Sequence, residues 1–337
     1  MKKVLVPVLN RTTYGRLKSV LKAIHEHPKL ELQIVLGASF FDAEIEFPVL
    51  YRVQCLADGD STATMSLTIS RWMEQFANIV ENFKPDLVYV HADRHENWGT
   101  ALVASCQNRI ICHGEGGDVT SSIDDRVRRC ISQLADYHFP VTEQSKERLI
   151  RQGCDASKIF VVGSTALDTL NGIDLANNYK EPYILIVFHP NTVSPESVEP
   201  LIDAIKQIPI YKRWIAPNID PGSMAILKKI HREQIEFIKN LVPEEYARLI
   251  YNAECLVGNS SSFIKEAGYL GVPAVLIGNR QQGREVGRNV LRVPNDWDEI
   301  TVGILKQLSH GRYEPDYRFG EGTAARKIVD ILAEVEL

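Results

Sequence analysis

No stretch of the chain approaches the roughly 20 consecutive apolar residues that a membrane-spanning helix needs. The apolar run after Lys2 and Lys3 is short and interrupted by Pro7, so neither a membrane span nor a signal peptide is expected. Basic residues form no stripe: the net charge is −5, and the densest basic run, Arg126 to Arg129, lies directly beside Asp124 and Asp125. That run reads as a solvated helix face, and the acidic balance argues against a nucleic-acid binder. The cysteines (55, 106, 112, 130, 154 and 255) include no C-x-x-C pair and fall mostly in or beside apolar runs. This excludes a zinc site and points to reduced thiols in a cytoplasmic protein. A G-x-G-x-x-G fingerprint is missing, so a nicotinamide cofactor is not indicated. Low-complexity segments and internal repeats are missing too.

What is present is a long alternation of β-branched runs and helical patterns. At 337 residues the chain exceeds the usual size of one hydrophobic core, so two domains are expected. Residues 2–9 read as a strand and 14–27 as a helix with Leu17, Val20, Leu21 and Ile24 on its apolar face. A strand at 30–37 follows, then a less regular stretch and an amphipathic helix at 65–83, closed by Pro85. Further strands are expected at 86–92, 109–114 and 137–142, each followed by a helix. The segment 158–182, polar and closed by Pro182, reads as the interdomain linker. Beyond it a second series places strands at 183–190, 211–218, 235–240, 254–261 and 273–278. The expected fold is α/β, with two Rossmann-like domains facing across a cleft: 1–165 and 183–320, with a C-terminal helix within 321–337 that can cross back to the first domain. Ligands of such sheets bind beyond the carboxyl ends of the strands.

Polar residues at those strand ends carry the candidate chemistry. In the second domain Ser260, Ser261 and Ser262 follow a strand that ends at Gly258, and a helix is expected from about Phe263. Backbone N–H groups and hydroxyls there suit a diphosphate, and the Glu266 carboxylate suits two ribose hydroxyls. A plain helix cap by Ser262 is the alternative. In the next loop Gly283 and Gly287 permit tight geometry, while Arg280 and Arg284 add charge for a phosphate; surface arginines are the bland reading. His189, at the end of the first strand of this domain, is placed to exchange a proton or donate to a leaving phosphate.

In the first domain Arg11 follows the first strand, and Asp93 and Arg94 follow the strand that carries His91. Glu115 and Asp118 lie on the loop after another strand, where Gly116 and Gly117 would let the chain turn closely against a ligand. Asp124 and Asp125 open the next helix, where its dipole favours an ionised carboxylate. Differing environments could keep one of these acids charged as a base and raise another as an acid.

The stretches "NRTTYGRL", "HADRHE", "HGEGGDVTSSIDDRVRRCISQLADYHFPVTE", "FHP", "PNIDPGS", "GNSSSFIKEAGYLGVP", "GNRQQGREVGRNV" and "FGEGTAARKIVDIL" occur in that order along nearly the whole chain. Together they resemble the hydrolysing branch of the UDP-N-acetylglucosamine 2-epimerase family, which makes N-acetylmannosamine for sialic-acid-type sugars. The resemblance implies a glycosyltransferase B type fold and a UDP-sugar substrate. It implies UDP contacts from His189, Asn218, Leu241, Ser260, Ser261, Glu266 and Arg280, with Gly283 and Arg284 in the adjoining loop. Arg11 and Arg94 would reach the same ligand from the first domain, and Asp118 would lie near the sugar. Asp93, Glu115 and Asp124 would be the acid/base carboxylates, with His189 beside them as a catalytic group. The implied chemistry removes the C2 proton as UDP leaves C1, then adds water with C2 inverted. No metal or redox cofactor is implied, and a homo-oligomer (dimer or tetramer) is expected.

Two positions depart from the family pattern. Thr13 stands where many members have an acid or amide, and Asp118 stands where the family has glutamate. Both bear on the hexose rather than the nucleotide. A 2,4-diacetamido-trideoxy sugar or a GDP-linked donor therefore stays open, as does a glycosyltransferase, or a binding protein that has lost catalysis.

Overall fold

The first strand, β1 (Lys2–Val8), is buried along most of its length and feeds α1 (Arg11–Glu26) through Asn10, whose side chain caps the helix by accepting from the Thr13 N–H at 2.7 Å. The capping oxygen satisfies an otherwise orphaned donor of the first turn. Leu17, Val20, Leu21 and Ile24 repeat at three- and four-residue spacing and form the buried face of this helix. The structure is a computed structural model and describes every residue except 60, 177, 178, 180, 219 and 240. The middle of the expected linker, at 177, 178 and 180, therefore lies outside the described residues.

The chain continues through β2 (Leu30–Gly37), β3 (Val49–Val53), α2 (Thr62–Phe83), β4 (Leu87–His91), α3 (His95–Cys106), β5 (Ile110–Gly114), α4 (Ile123–Leu134), β6 (Tyr137–Phe139), α5 (Glu143–Arg151) and α6 (Thr165–Asp168). These strands form one six-stranded sheet in the order β3-β2-β1-β4-β5-β6, with every pairing parallel. Continuous apolar runs such as Leu87–Val90 fit strands covered on both faces.

A second series follows: β7 (Tyr183–Val187), α7 (Glu199–Lys206), β8 (Tyr211–Ile215), α8 (Ser223–Arg232), β9 (Phe237–Ile238), α9 (Pro243–Asn252), β10 (Cys255–Gly258), α10 (Lys265–Tyr269), β11 (Ala274–Ile277), β12 (Val290–Val293), α11 (Trp297–His310) and α12 (Ala324–Glu334). Its sheet runs β12-β11-β10-β7-β8-β9, again all parallel. Counted from the first strand of each sheet, both have the doubly wound order 3-2-1-4-5-6.

The chain forms two compact units. Unit 1 comprises residues 1–118, 124–169 and 320–337; unit 2 comprises 119–123 and 170–319. Helix α12 belongs to unit 1, where Ile328, Val329 and Leu332 join the core built on β1, β2 and α1. Among the described residues no helix is long and apolar enough to cross a membrane.

Several local expectations change. Strands β3 and β12 fall outside the expected set because both are short edge strands with exposed positions, Tyr51 and Arg52 in one and Arg292 in the other. The start of the expected linker is built onto unit 1 instead: the Phe160 N–H donates to the His138 carbonyl at 2.9 Å and the Val162 N–H to the Pro140 carbonyl at 3.1 Å. Arg11 is the first residue of α1 rather than a loop residue.

Candidate active site

Each sheet reverses its winding between its first and fourth strands, β1/β4 in unit 1 and β7/β10 in unit 2. The loops leaving β4, β7 and β10 hold Asp93 and Arg94, His189, and Ser260 with Ser261, while those leaving β5, β8 and β11 hold Glu115 and Asp118, Asn218, and Arg280 with Arg284.

In unit 1, Ala92 and Glu115, immediately beyond β4 and β5, both adopt left-handed backbone, with φ 60° and 62°. Non-glycine residues enter that region at a cost and only where the surroundings hold them there. Here the ladder continues past the strand ends: the Ala92 N–H donates to the Gly114 carbonyl and the Glu115 N–H to the Phe139 carbonyl, each at 2.9 Å. Glu115 is buried, and its carboxylate accepts a hydrogen bond from Ser164 Oγ at 2.8 Å and lies 3.8 Å from the Arg16 guanidinium. Burial, and then the nearby Glu115 charge, push the Tyr89 phenol well above its ordinary value.

Arg128 explains why so many acids gather in this stretch. Only 1% exposed, its guanidinium bonds the Asp93 carboxylate and the Asp118 carbonyl (3.0 Å) and lies 3.5 Å from Asp125. Burial opposes the charged form, yet Asp93, Asp118 and Asp124 around it push its pKa up. The 126–129 run is therefore not the solvated face expected from sequence, since Arg126 and Arg129 face solvent but Arg128 does not. Asp125 pairs with both Arg128 and Arg129, the latter at 2.7 Å, and Asp124 beside it is half-buried.

Glu96, which no strand-end argument singles out, organises the loop after β4. It is buried and receives Arg94 through two nitrogens, at 3.0 and 3.1 Å, and His95 Nε2 at 3.2 Å. Burial alone would raise the carboxyl, but Arg94 and His95 hold it well below the usual carboxylate range. His113 is a second group the sequence did not mark. Its Nε2 bonds the Ala92 carbonyl and its Nδ1 the Ser132 hydroxyl, both at 3.0 Å. A carbonyl can only accept, so the proton sits on Nε2, and burial lowers the pKa to about 3.

The adjacent glycines permit close contacts within unit 1. A side chain at Gly117 (φ 77°) would meet the Ser145 carbonyl at 2.2 Å, and one at Gly116 would meet His113 Nδ1 at 2.9 Å. These glycines let the loop pack closely on its own unit. Thr13 is buried in the first turn of α1, and Arg11 is exposed at its start.

In unit 2 the two central loops are tied reciprocally. The His189 N–H donates to Asn259 Oδ1 at 2.7 Å, and Asn259 Nδ2 returns a bond to the His189 carbonyl at 2.9 Å. The Asn218 N–H donates to His189 Nδ1 at 3.2 Å, which leaves the imidazole proton on Nε2. Arg280 and Gln281 both donate to the Asn259 carbonyl at 3.0 Å, and Arg284 donates to Gln281 Oε1 at 3.0 Å. Asn259 thus organises His189 and Arg280; its signal was being the first residue past β10. Gly258 (φ 143°) admits no side chain, because a Cβ would lie 2.0 Å from the Val187 carbonyl oxygen.

Ser260, not Ser262, is the capping residue, and it caps a short 3-10 turn, Ser261–Phe263. The continuous helix expected from Phe263 does not form; α10 starts at Lys265, is five residues long and carries Glu266 in its first turn. Ser260 Oγ bonds Ser262 Oγ at 2.8 Å, which in turn bonds the Tyr246 hydroxyl at 2.5 Å, while Ser261 is half-buried. Leu241 packs against the same core cluster as Tyr246. Residues 119–123 complete unit 2: the Ser121 N–H donates to the Arg280 carbonyl at 3.2 Å, and a Cβ on Gly283 would come 3.1 Å from Val119 Cγ1.

Unit 1 therefore brings Asp93, Asp118 and Asp124 around the buried Arg128, and Glu115 beside the partly exposed Arg16, an arrangement suited to moving protons. Unit 2 brings His189, Asn218, Arg280 and Arg284 into one network of N–H donors adjoining Ser260 and Ser261, suited to an anionic ligand. Among the described residues no group of three His, Cys, Asp or Glu side chains could hold a metal ion.

The family model described as UDP-N-acetylglucosamine 2-epimerase matches residues 22–333. Along its whole length the chain is 28% identical to a UDP-N-acetylglucosamine 2-epimerase of Neisseria meningitidis serogroup B, covering 96% of it. It is 27% identical, again over its whole length, to the UDP-N,N'-diacetylbacillosamine 2-epimerase (hydrolyzing) of Legionella pneumophila, covering 97% of it. The crystal structure of the Methanocaldococcus jannaschii UDP-GlcNAc 2-epimerase in complex with UDP-GlcNAc and UDP superposes with a TM-score of 0.84 at 19% identity, over 99% of this chain and 100% of that one. The shared fold is the two-unit α/β architecture of the glycosyltransferase B type.

Proposed function

The chain belongs to the UDP-N-acetylglucosamine 2-epimerase family, and from that premise we propose that it converts UDP-N-acetylglucosamine and water to N-acetylmannosamine and UDP. A unit 1 carboxylate takes the C2 proton while the C1–O bond to UDP breaks, leaving a C1–C2 double bond. Water then adds its hydroxyl to C1, and a proton returns to C2 on the opposite face. Glu115, Asp93 and Asp124 are the groups for these proton transfers, with Asp118 near the sugar. His189 through its Nε2–H, Arg280, Arg284 and the Ser260–Ser261 hydroxyls hold the diphosphate in this reading, Glu266 the ribose, and Asn218, Leu241 and the Gly283 loop the rest of the nucleotide. Arg11 and Arg94 add charge from unit 1.

The observation that carries this reading is the buried Glu115 carboxylate, held on a left-handed backbone by Ser164 and Arg16. General acid/base catalysis needs such a group at a defined place and charge. The hydrolysing outcome draws support from the likeness to the Legionella enzyme, whose name carries that chemistry. That likeness also favours a second substrate, a UDP-linked 2,4-diacetamido sugar. The test is a donor screen without acceptor in D2O, following free UDP and the sugar by NMR. Free UDP with deuterium at C2 is expected. An epimerised sugar still attached to UDP would make the enzyme non-hydrolysing, and UDP release only with an acceptor, C2–H retained, would make it a transferase.

A further inference from the structure

Ser164 occupies the N-cap position of α6, where a serine hydroxyl ordinarily accepts a backbone N–H of the helix it starts. It makes no such cap. Its hydroxyl, 1% exposed with the rest of the residue, instead donates to Glu115 Oε1 at 2.8 Å, across 49 positions of chain. The helix it abandons is held by other means. Asp168, at the far end of α6, accepts the backbone N–H groups of Ala324 (2.9 Å) and Ala325 (2.5 Å), so it caps α12, whose own N-cap residue Thr323 contributes no side-chain bond. Beside Ser164 the backbone of Gly320 (φ 114°) lies so close that a Cβ there would come within 3.0 Å of Gly163 Cα. Residues 163–168 are thus clasped by the C-terminal segment of the same unit, and the serine is aimed at the carboxylate.

We propose that Ser164 is a positioning residue for the reaction: its hydroxyl orients the Glu115 carboxylate and favours its charged form. This rests on the reading of Glu115 as an acid/base group. The test is steady-state kinetics of Ser164→Ala and Ser164→Cys against pH, with Glu115→Gln as reference and thermal melts of each. Both Ser164 variants should lose kcat by roughly tenfold, the scale of one hydrogen bond to a charged group, with KM and UDP affinity near wild type. The acid limb of kcat/KM should move to higher pH, because the lost donor stabilised the carboxylate over the acid. A structural role alone would lower the melting temperature and leave that limb in place. The proposal is overturned if either variant melts as wild type and keeps the wild-type kcat and acid limb while Glu115→Gln is inactive. Normal turnover by Glu115→Gln would instead remove the acid/base reading itself.

Discussion

Units 1 and 2 share one strand order and differ in what their strand ends carry. In unit 1 the loops after β4 and β5 hold Asp93, Glu115 and Asp118, with Glu96 in the first turn of α3, balanced by Arg16, Arg94 and Arg128 in ion pairs that are largely or partly buried. In unit 2 the loops after β7, β8 and β10 hold His189, Asn218, Asn259 and the Ser260–Ser262 run, joined mainly by neutral hydrogen bonds. The scaffold decides only where loops emerge; the loop residues decide what the place does. Buried ion pairs are costly to break and able to retain or release protons, whereas amides and hydroxyls recognise without titrating. The proposed division, proton transfer in unit 1 and nucleotide recognition in unit 2, rests on that contrast.

The contrast breaks most sharply at Arg128. Arg128→Met leaves Asp93 and Asp125 facing a buried apolar group, and loss of one partner of a buried pair typically costs about 3–5 kcal/mol. Urea unfolding should show that loss, and Arg128→Met with Asp93→Asn should recover part of it. In unit 2, Arg280→Met removes a bond to a neutral carbonyl and should cost nearer 1 kcal/mol. Equal losses at the two arginines would mean that the units do not differ in this way.

Function should divide along the same line. Glu115→Gln and Asp124→Asn should lower turnover by about a hundredfold or more while calorimetry finds UDP affinity unchanged. Ser260→Ala with Ser261→Ala should do the reverse: UDP binding weakens by roughly 1–3 kcal/mol, and saturating donor restores most of the turnover. A serine double mutant that binds UDP as wild type would reduce the loop to a helix cap.

Much of this could be read from sequence, and the exceptions share a cause. Periodicity gave the long helices and the buried strands, because a core imposes a repeat that residues display. It did not give β3 or β12, edge strands with too little buried face to show one. Strand-end logic found Asp93, Glu115 and His189, since loop positions after apolar runs are visible in one dimension. Arg128, Glu96 and Asn259 escaped it, although each is buried and bonded to a candidate residue, Asp93, Arg94 and His189 in turn; His113 escaped it too, buried and bonded to the Ala92 carbonyl. Their roles depend on partners brought in by folding: Arg128 meets Asp93 across 35 positions and Asn259 meets His189 across 70. At Gly116 and Gly117 sequence shows that a close approach is needed, and only the fold shows that His113 and Ser145 approach there.

The smallest expected effect is also the one that tests the comparison without a mutation. Burial lowers His113 from 6.5 to about 3 and His138 from 6.5 to about 4, and both belong to unit 1. Each stays neutral in the folded chain while the unfolded chain takes up a proton near pH 6.5. A depressed folded pKa contributes stability that is full above the unfolded value and is lost as pH falls towards the folded one. The window thus opens at about 6.5 and runs down to between 4 and 3. Glu96, also depressed, adds to the loss only below its ordinary value of 4.5. Between pH 7 and pH 6 the two histidines together should therefore cost on the order of 1 kcal/mol. Hydrogen exchange at both pH values, corrected for intrinsic rates, should show that loss in β4, β5 and β6. The β7, β8 and β10 amides should hold their protection. Equal loss in both sheets would show that the buried histidines of unit 1 do not set its response to acid.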